Sequence, residues 1–251
     1  MARKSEARKS QTSPDLFAPA TGAANDEPAA EFRSLTAARD AAAHCTRCPL
    51  YKNATQTVFG EGPAHAAVVF VDEQPGDQED LAGAPFVGPA GQMFARGVGG
   101  AEKAGGRVYV TNAVKHFKFE PRGKRRIHKK PNNDEIEACH WWLANELALI
   151  RPRITVALGA TAARALTGRD TTISRSRGRL MTLRDGVEGF ITVHPSFLLR
   201  LPDEATKARE YAQFVADLKL VARHLPEIRK AAQTVSPGQE TPVEKTNEGY
   251  R

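Results

Sequence analysis

His128 sits in the run Lys-Arg-Arg-Ile-His-Lys-Lys, residues 124–130, where five cationic side chains surround a single imidazole. Positive charge on the ring is disfavoured beside so many cations, so the run predicts a neutral, nucleophilic histidine. The cations Lys124, Arg125, Arg126, Lys129 and Lys130 form a grip for a polyanion. Taken alone, such a run reads as a solvated phosphate-binding loop with an incidental histidine. The charge distribution adds weight to the phosphate reading. Residues 115–130 carry eight cations against the single anion Glu120, matching the +7 of the whole chain, whereas residues 1–33 carry five of each sign. Concentrated charge of this kind points to nucleic acid more than to general solubility.

A second group of chemically able residues falls where short apolar runs end. Val71 is followed by Asp72-Glu73-Gln74-Pro75-Gly76-Asp77-Gln78-Glu79-Asp80, a polar turn rich in acids and amides. Phe86 lies in the Pro/Gly-punctuated stretch 84–91 and is either a core plug or a stacking platform for a base. Asn112 closes another apolar run with a donor and an acceptor suited to a planar base edge. His194-Pro195-Ser196 closes a third. Each has a structural explanation by itself; together they suggest one site.

The three cysteines form a third group. An odd count in a chain without a signal-peptide core argues against a disulfide framework and for metal or redox use in the cytosol. Cys45-Thr46-Arg47-Cys48 precedes the first apolar run, where a thioredoxin-like pair would follow it. A metal site of Cys45, Cys48, Cys139 and one of His44, His116 or His140 is preferred, and zinc or an iron–sulfur cluster suits the thiolates. Cys139 also fits as a buried core thiol, since it lies on an apolar helix face.

The elements that must position these residues alternate strand and helix. Strands are expected at 67–71, 108–114, 154–158 and 190–193, with a possible edge strand at 179–183. Helices are expected at 91–103, from Asn132 or Asn133 to about Ile150, at 159–166 and at 203–224. This predicts an α/β fold of three α/β/α layers around a central, mostly parallel four-stranded sheet. In such folds ligands sit beyond the carboxyl ends of the strands. Composition divides the chain into a disordered tail at 1–35, one domain at 36–228 and a second tail at 229–251. No apolar run is long enough to span a bilayer.

With these motifs in hand, the chain resembles the uracil-DNA glycosylase superfamily over about residues 36–224, specifically the iron–sulfur UdgX branch close to family 4. The matching motifs are Glu73-Gln74-Pro75-Gly76, Pro85 to Gly91, Thr111 to His116, Lys124 to His128, and His194-Pro195-Ser196. The basic insertion, Gln74 and His116 are the features that distinguish UdgX from ordinary family 4 proteins. The resemblance implies that Phe86 stacks on a flipped uracil, Asn112 bonds its edge and Glu79 crowds the position of thymine's methyl, with Gly76, Asp77 and Ser196 completing substrate contacts. His194 would stabilise the departing base. Glu73, assisted by Gln74, would orient His128 for attack on C1′ of the sugar. A [4Fe-4S] cluster would be held by Cys45, Cys48, His116 and Cys139. The implied partner is uracil-containing DNA, preferably single-stranded, met by a monomer. At Asp72 the family usually has glycine, and a carboxylate there is expected to perturb the turn or repel DNA. A turning-over family 4-type glycosylase and a non-catalytic, metal-stabilised nucleic-acid-binding domain are the alternative readings.

Overall fold

The computed structural model describes residues 31–99 and 108–234. In chain order the elements are α1 (Leu35–Ala42), β1 (Val68–Asp72), α2 (Asp77–Ala82), α3 (Pro89–Val98), β2 (Val108–Asn112), β3 (Phe119–Arg122), β4 (Arg125–His128), α4 (Asn133–Ile150), β5 (Ile154–Leu158), α5 (Ala160–Thr167), α6 (Ile173–Ser176), β6 (Met181–Thr182), β7 (Glu188–Thr192), α7 (Pro195–Leu199) and α8 (Glu204–Thr234). The main sheet has the order β2-β1-β5-β7-β6, parallel except for β6. It therefore has five strands rather than four, the possible edge strand having shortened to two antiparallel residues.

The continuous apolar run of β1 follows from burial on both faces. Alternate side chains enter different cores. Val69 and Val71 pack with Ala157, Ala162, Ile136 and Trp142 on the side covered by α1, α4 and α5. Val68 and Phe70 pack with Phe94, Val156, Phe214 and Leu218 under α3 and α8. The expected α/β/α layering is present.

α4 begins with a capping box: Asn132 accepts the Glu135 N–H, and the Glu135 carboxylate accepts the Asn132 N–H. A cap of this type contributes about 1 kcal/mol. The helix ends at Arg151, in left-handed conformation just before Pro152. Two boundaries move. α3 stops at Val98, and residues 100–103 of the expected helix lie outside the described residues. α8 continues to Thr234, beyond the expected domain edge at 228. At the other end Phe32, assigned by composition to the tail, stacks on Trp142 with centroids 5.7 Å apart. Residues 1–30 and 235–251 of the expected tails lie outside the described residues.

The largest departure is the basic run. It is a β-hairpin, not a loop: β3 and β4 pair antiparallel, Phe119 opposite His128 and Arg122 opposite Arg125. Gly123, at φ +59°, closes the two-residue turn. The period of two puts Arg126 and His128 on one face of β4 and Arg125 and Ile127 on the other.

Candidate active site

The carboxyl ends of β1, β2, β5 and β7 open into a cleft of about 1120 Å³. Ten of the residues singled out above line it: Glu73, Gln74, Gly76, Asp77, Glu79, Phe86, Asn112, His128, His194 and Ser196. Asp72 lines it too. They arrive from five chain segments far apart in sequence, because parallel strands deliver their loops to one edge of the sheet.

Asn112 ends β2 and is 2% exposed, and its Nδ2 has no hydrogen-bond partner among the described residues. A buried donor left this way calls for an acceptor on whatever fills the cleft. Its backbone carbonyl accepts from Lys115 Nζ at 2.8 Å. That lysine is fully buried in an ion pair with Glu146. Phe86 takes the left-handed backbone conformation, φ +59°, which is strained for an aromatic residue. Gly91 makes the bend possible: a Cβ there would come within 1.8 Å of the Phe86 carbonyl oxygen. The Phe86 ring leans on Phe94, centroids 4.8 Å apart. Glu79 accepts the Gly88 N–H at 2.8 Å, tying the turn after β1 to the start of α3.

His128 reaches the cleft from the hairpin, with its side chain 50% exposed and Nε2 3.3 Å from Glu73 Oε1. The other Glu73 oxygen accepts from the Thr161 hydroxyl, in the first turn of α5. Thr161 was not visible as a site residue in the sequence, since one threonine after a strand has no signature. Gln74 is committed to the hairpin. Its Nε2 donates to the Lys118 and Lys129 carbonyls, both at 3.1 Å, and its Oε1 accepts the Lys118 N–H at 3.0 Å. One buried amide thus clasps both strands at the hairpin's base.

The cations of the run do not converge on His128, contrary to the expectation from their spacing. Arg126 turns onto Asp77 at 2.5 Å and the fully buried Asp80 at 2.6 Å, and its guanidinium lies over Phe117 and Phe119. Burial alone would lower the Arg126 pKa, but its hydrogen bonds to the Asp80 and Asp77 carboxylates raise it overall. Lys129 lies 3.4 Å from Glu120, Lys118 2.8 Å from Glu135, and Lys115 is in the core. Among the described residues no ion pair holds Arg122, Lys124, Arg125 or Lys130, and these four face outward together with the exposed Lys129. Arg126, expected at phosphate, is here paired with Asp77 and Asp80.

His194 closes β7 and caps α7. Its Nδ1 accepts the Ser196 N–H at 2.9 Å, and Nε2 meets Asp72 Oδ1. Burial would lower its pKa, yet the Asp72 carboxylate, with a smaller push from Glu73, raises it. Asp72 ends β1, in register opposite Asn112. Its Oδ1 accepts the Glu73 N–H at 2.7 Å, and the carboxylate faces the imidazole.

Cys45, Cys48 and Cys139 are free and buried. Cys45 Sγ accepts from the Trp142 indole at 3.0 Å and Cys139 Sγ from the Lys115 N–H at 3.2 Å. Burial raises the Cys48 thiol and pushes Cys139 up to about 12, and the neighbouring cysteines add to both. Of the three candidate histidines, His116 is buried: Nε2 sits 2.9 Å from Thr57 Oγ1, and Nδ1 has no partner among the described residues. His44 is exposed. No group of three His, Cys, Asp or Glu side chains among the described residues is arranged around a single metal ion. A cluster, which offers each ligand its own iron, accommodates more widely set donors. Buried thiols, two of them accepting N–H bonds, fit such a group, as does the partnerless Nδ1 of His116, next in the chain to the Lys115 whose N–H meets Cys139.

Residues 59–219 match the family model described as the uracil DNA glycosylase superfamily. The chain belongs to it. The match takes in every cleft residue and Cys139, while Cys45 and Cys48 precede it. Within the superfamily, the chain is 38% identical over 157 residues to the type-4 uracil-DNA glycosylase of Thermotoga maritima, covering 62% of this chain and 78% of that one. It is 37% identical over 168 residues to the protein of the same name from Pyrobaculum aerophilum, covering 63% and 81%. For the Archaeoglobus fulgidus protein, again of that name, the identity is 34% over 165 residues, covering 63% and 79%. No described helix is long and apolar enough to cross a membrane.

Proposed function

We propose that this chain excises uracil from DNA, preferring single strands, and becomes covalently linked through His128 to C1′ of the abasic sugar, as a member of the UdgX branch. The observation that carries this reading is the position of His128: a half-exposed imidazole at the cleft, 3.3 Å from a fixed carboxylate, on a hairpin clasped from below. Uracil leaves the stack to enter the cleft, at least cost from a single strand. Phe86 stacks on it, Asn112 Nδ2 bonds its edge, and Glu79, with Gly76 and Asp77 in the same turn, excludes a methyl group. The C1′–N1 bond breaks with its electron pair on uracil, beside His194 and Ser196. A ring nitrogen of His128 in its unprotonated form donates its lone pair to C1′, and the imidazolium so formed is offset by Glu73 and then passes its remaining N–H proton to water, replacing the one that uracil takes up. The uracil anion takes a proton from water. Lys124, Arg125, Lys129 and Lys130 supply phosphate affinity. Cys45, Cys48, His116 and Cys139 would hold a [4Fe-4S] cluster, which stabilises the fold around α4 when bound. Loading it must displace the thiol protons that burial retains.

The names of the relatives support a second reading, a type-4 enzyme that turns over with water as the nucleophile. A denaturing gel after mixing with uracil-containing single-stranded DNA separates the two. A heat- and detergent-stable shifted band is expected; free abasic product supports turnover, and intact DNA opposes both.

A further inference from the structure

The reading above gives Asp72 no part, yet Asp72 touches a residue that reading uses. Both ring nitrogens of His194 are engaged. Nδ1 accepts the Ser196 N–H at 2.9 Å and lies 2.7 Å from Ser196 Oγ, which itself accepts from Arg200 at 2.8 Å. An accepting Nδ1 puts the hydrogen on Nε2, and Nε2 faces Asp72 Oδ1. The carboxylate is fixed in turn by the Glu73 N–H at 2.7 Å, and Asp72 is only 8% exposed. No nitrogen of His194 is left over for a ligand in the cleft that Asp72 and His194 both line.

We propose that Asp72 is a positioning residue that keeps the Nε2–H of His194 on its own carboxylate, so that a departing base must draw that hydrogen away and base release is restrained. The restraint rests on the function proposed above; the pairing does not. An anion already hydrogen-bonded to the ring competes with the anion forming on uracil, and the two negative charges oppose each other. The charged groups facing the ring are Asp72 and Glu73 from the end of β1 and Arg200 after α7. After the downward pull of burial, the two acids raise the histidine and Arg200 lowers it.

Two measurements test this on the full chain. Histidine NMR titration, with the His194 signal assigned by its loss in His194→Gln, should show that signal titrating at lower pH in Asp72→Asn than in the parent. An unchanged titration overturns the pairing. Single-turnover release of uracil from a single-stranded oligonucleotide should accelerate in Asp72→Gly by roughly tenfold or more, the scale of one hydrogen bond to a charged acceptor. Asp72→Asn keeps the shape without the charge, should accelerate less, and carries both measurements where Asp72→Gly fails to fold. Equal or slower release overturns the restraint. If no form releases uracil, the restraint falls together with the proposed function, and the titration still decides the pairing.

Discussion

Two adjacent acids at the end of β1 each hold a histidine, and they hold them in opposite ways. Glu73 faces His128, whose side chain is 50% exposed, has one acidic partner at 3.3 Å and stands on a two-stranded hairpin outside the main sheet. Asp72 faces His194, 23% exposed, engaged at both nitrogens and seated where a central strand turns into a helix. The difference matches two kinds of work. A nucleophile needs a lone pair and room to approach carbon, whereas a group that stabilises developing charge gains from being fixed beforehand. One pair is open to the cleft and the other is closed.

The comparison breaks most completely at His128. His128→Ser should abolish the gel-stable adduct while uracil is still released, water taking the open position; an adduct that persists would remove His128 from the chemistry. Next in size is Gln74→Ala. It leaves the Lys118 N–H without its acceptor and takes the side-chain donor from the Lys118 and Lys129 carbonyls, of which Lys118 keeps the Lys129 N–H. With a few hydrogen bonds of about 1 kcal/mol each lost, adduct formation should slow by roughly 10- to 100-fold. Base release in the same variant should change little, because His194 does not rest on the hairpin. Quench-flow assays of the two products separate these rates.

The same contrast explains what the sequence made legible. The strands carrying Asn112 and His194 were visible because burial on both faces demands continuous apolar runs, and strand order then dictates where their ends lie. The hairpin was not visible: residues 119–128 are too charged to show strand alternation, and only pairing across Gly123 makes them strands. The fate of the cations was hidden for a related reason. Whether Arg126 meets phosphate or the buried Asp80 depends on a contact across 46 positions in the chain. Likewise Asp72 read as a misfit in its turn until His194 was seen opposite it. Motifs mark which residues share a cleft, but their pairing is tertiary.

A smaller effect is expected at Thr161→Val, which removes the hydroxyl that donates to Glu73. Loss of one such bond, about 1 kcal/mol, predicts a roughly fivefold slower adduct with binding of uracil DNA unchanged. If the adduct rate does not move, Glu73 needs no support from Thr161 to serve His128.

The smallest effect concerns stability, and it belongs to the fixed pair. The folded His194 pKa is raised above the ordinary 6.5, with Asp72 the largest upward push. A base whose folded pKa is raised contributes stability that is fully present below its unfolded value and is lost as pH rises through the folded value. Urea denaturation of the parent and of Asp72→Asn should therefore differ most just below pH 6.5, with the gap narrowing above it. Glu73→Gln should alter that slope far less, since Glu73 reaches His194 only through space and its own partner is half in solvent. A Glu73→Gln slope as steep as that of Asp72→Asn would mean that the two acids act on His194 as one charged unit, and the contrast between an open and a closed pair would not hold.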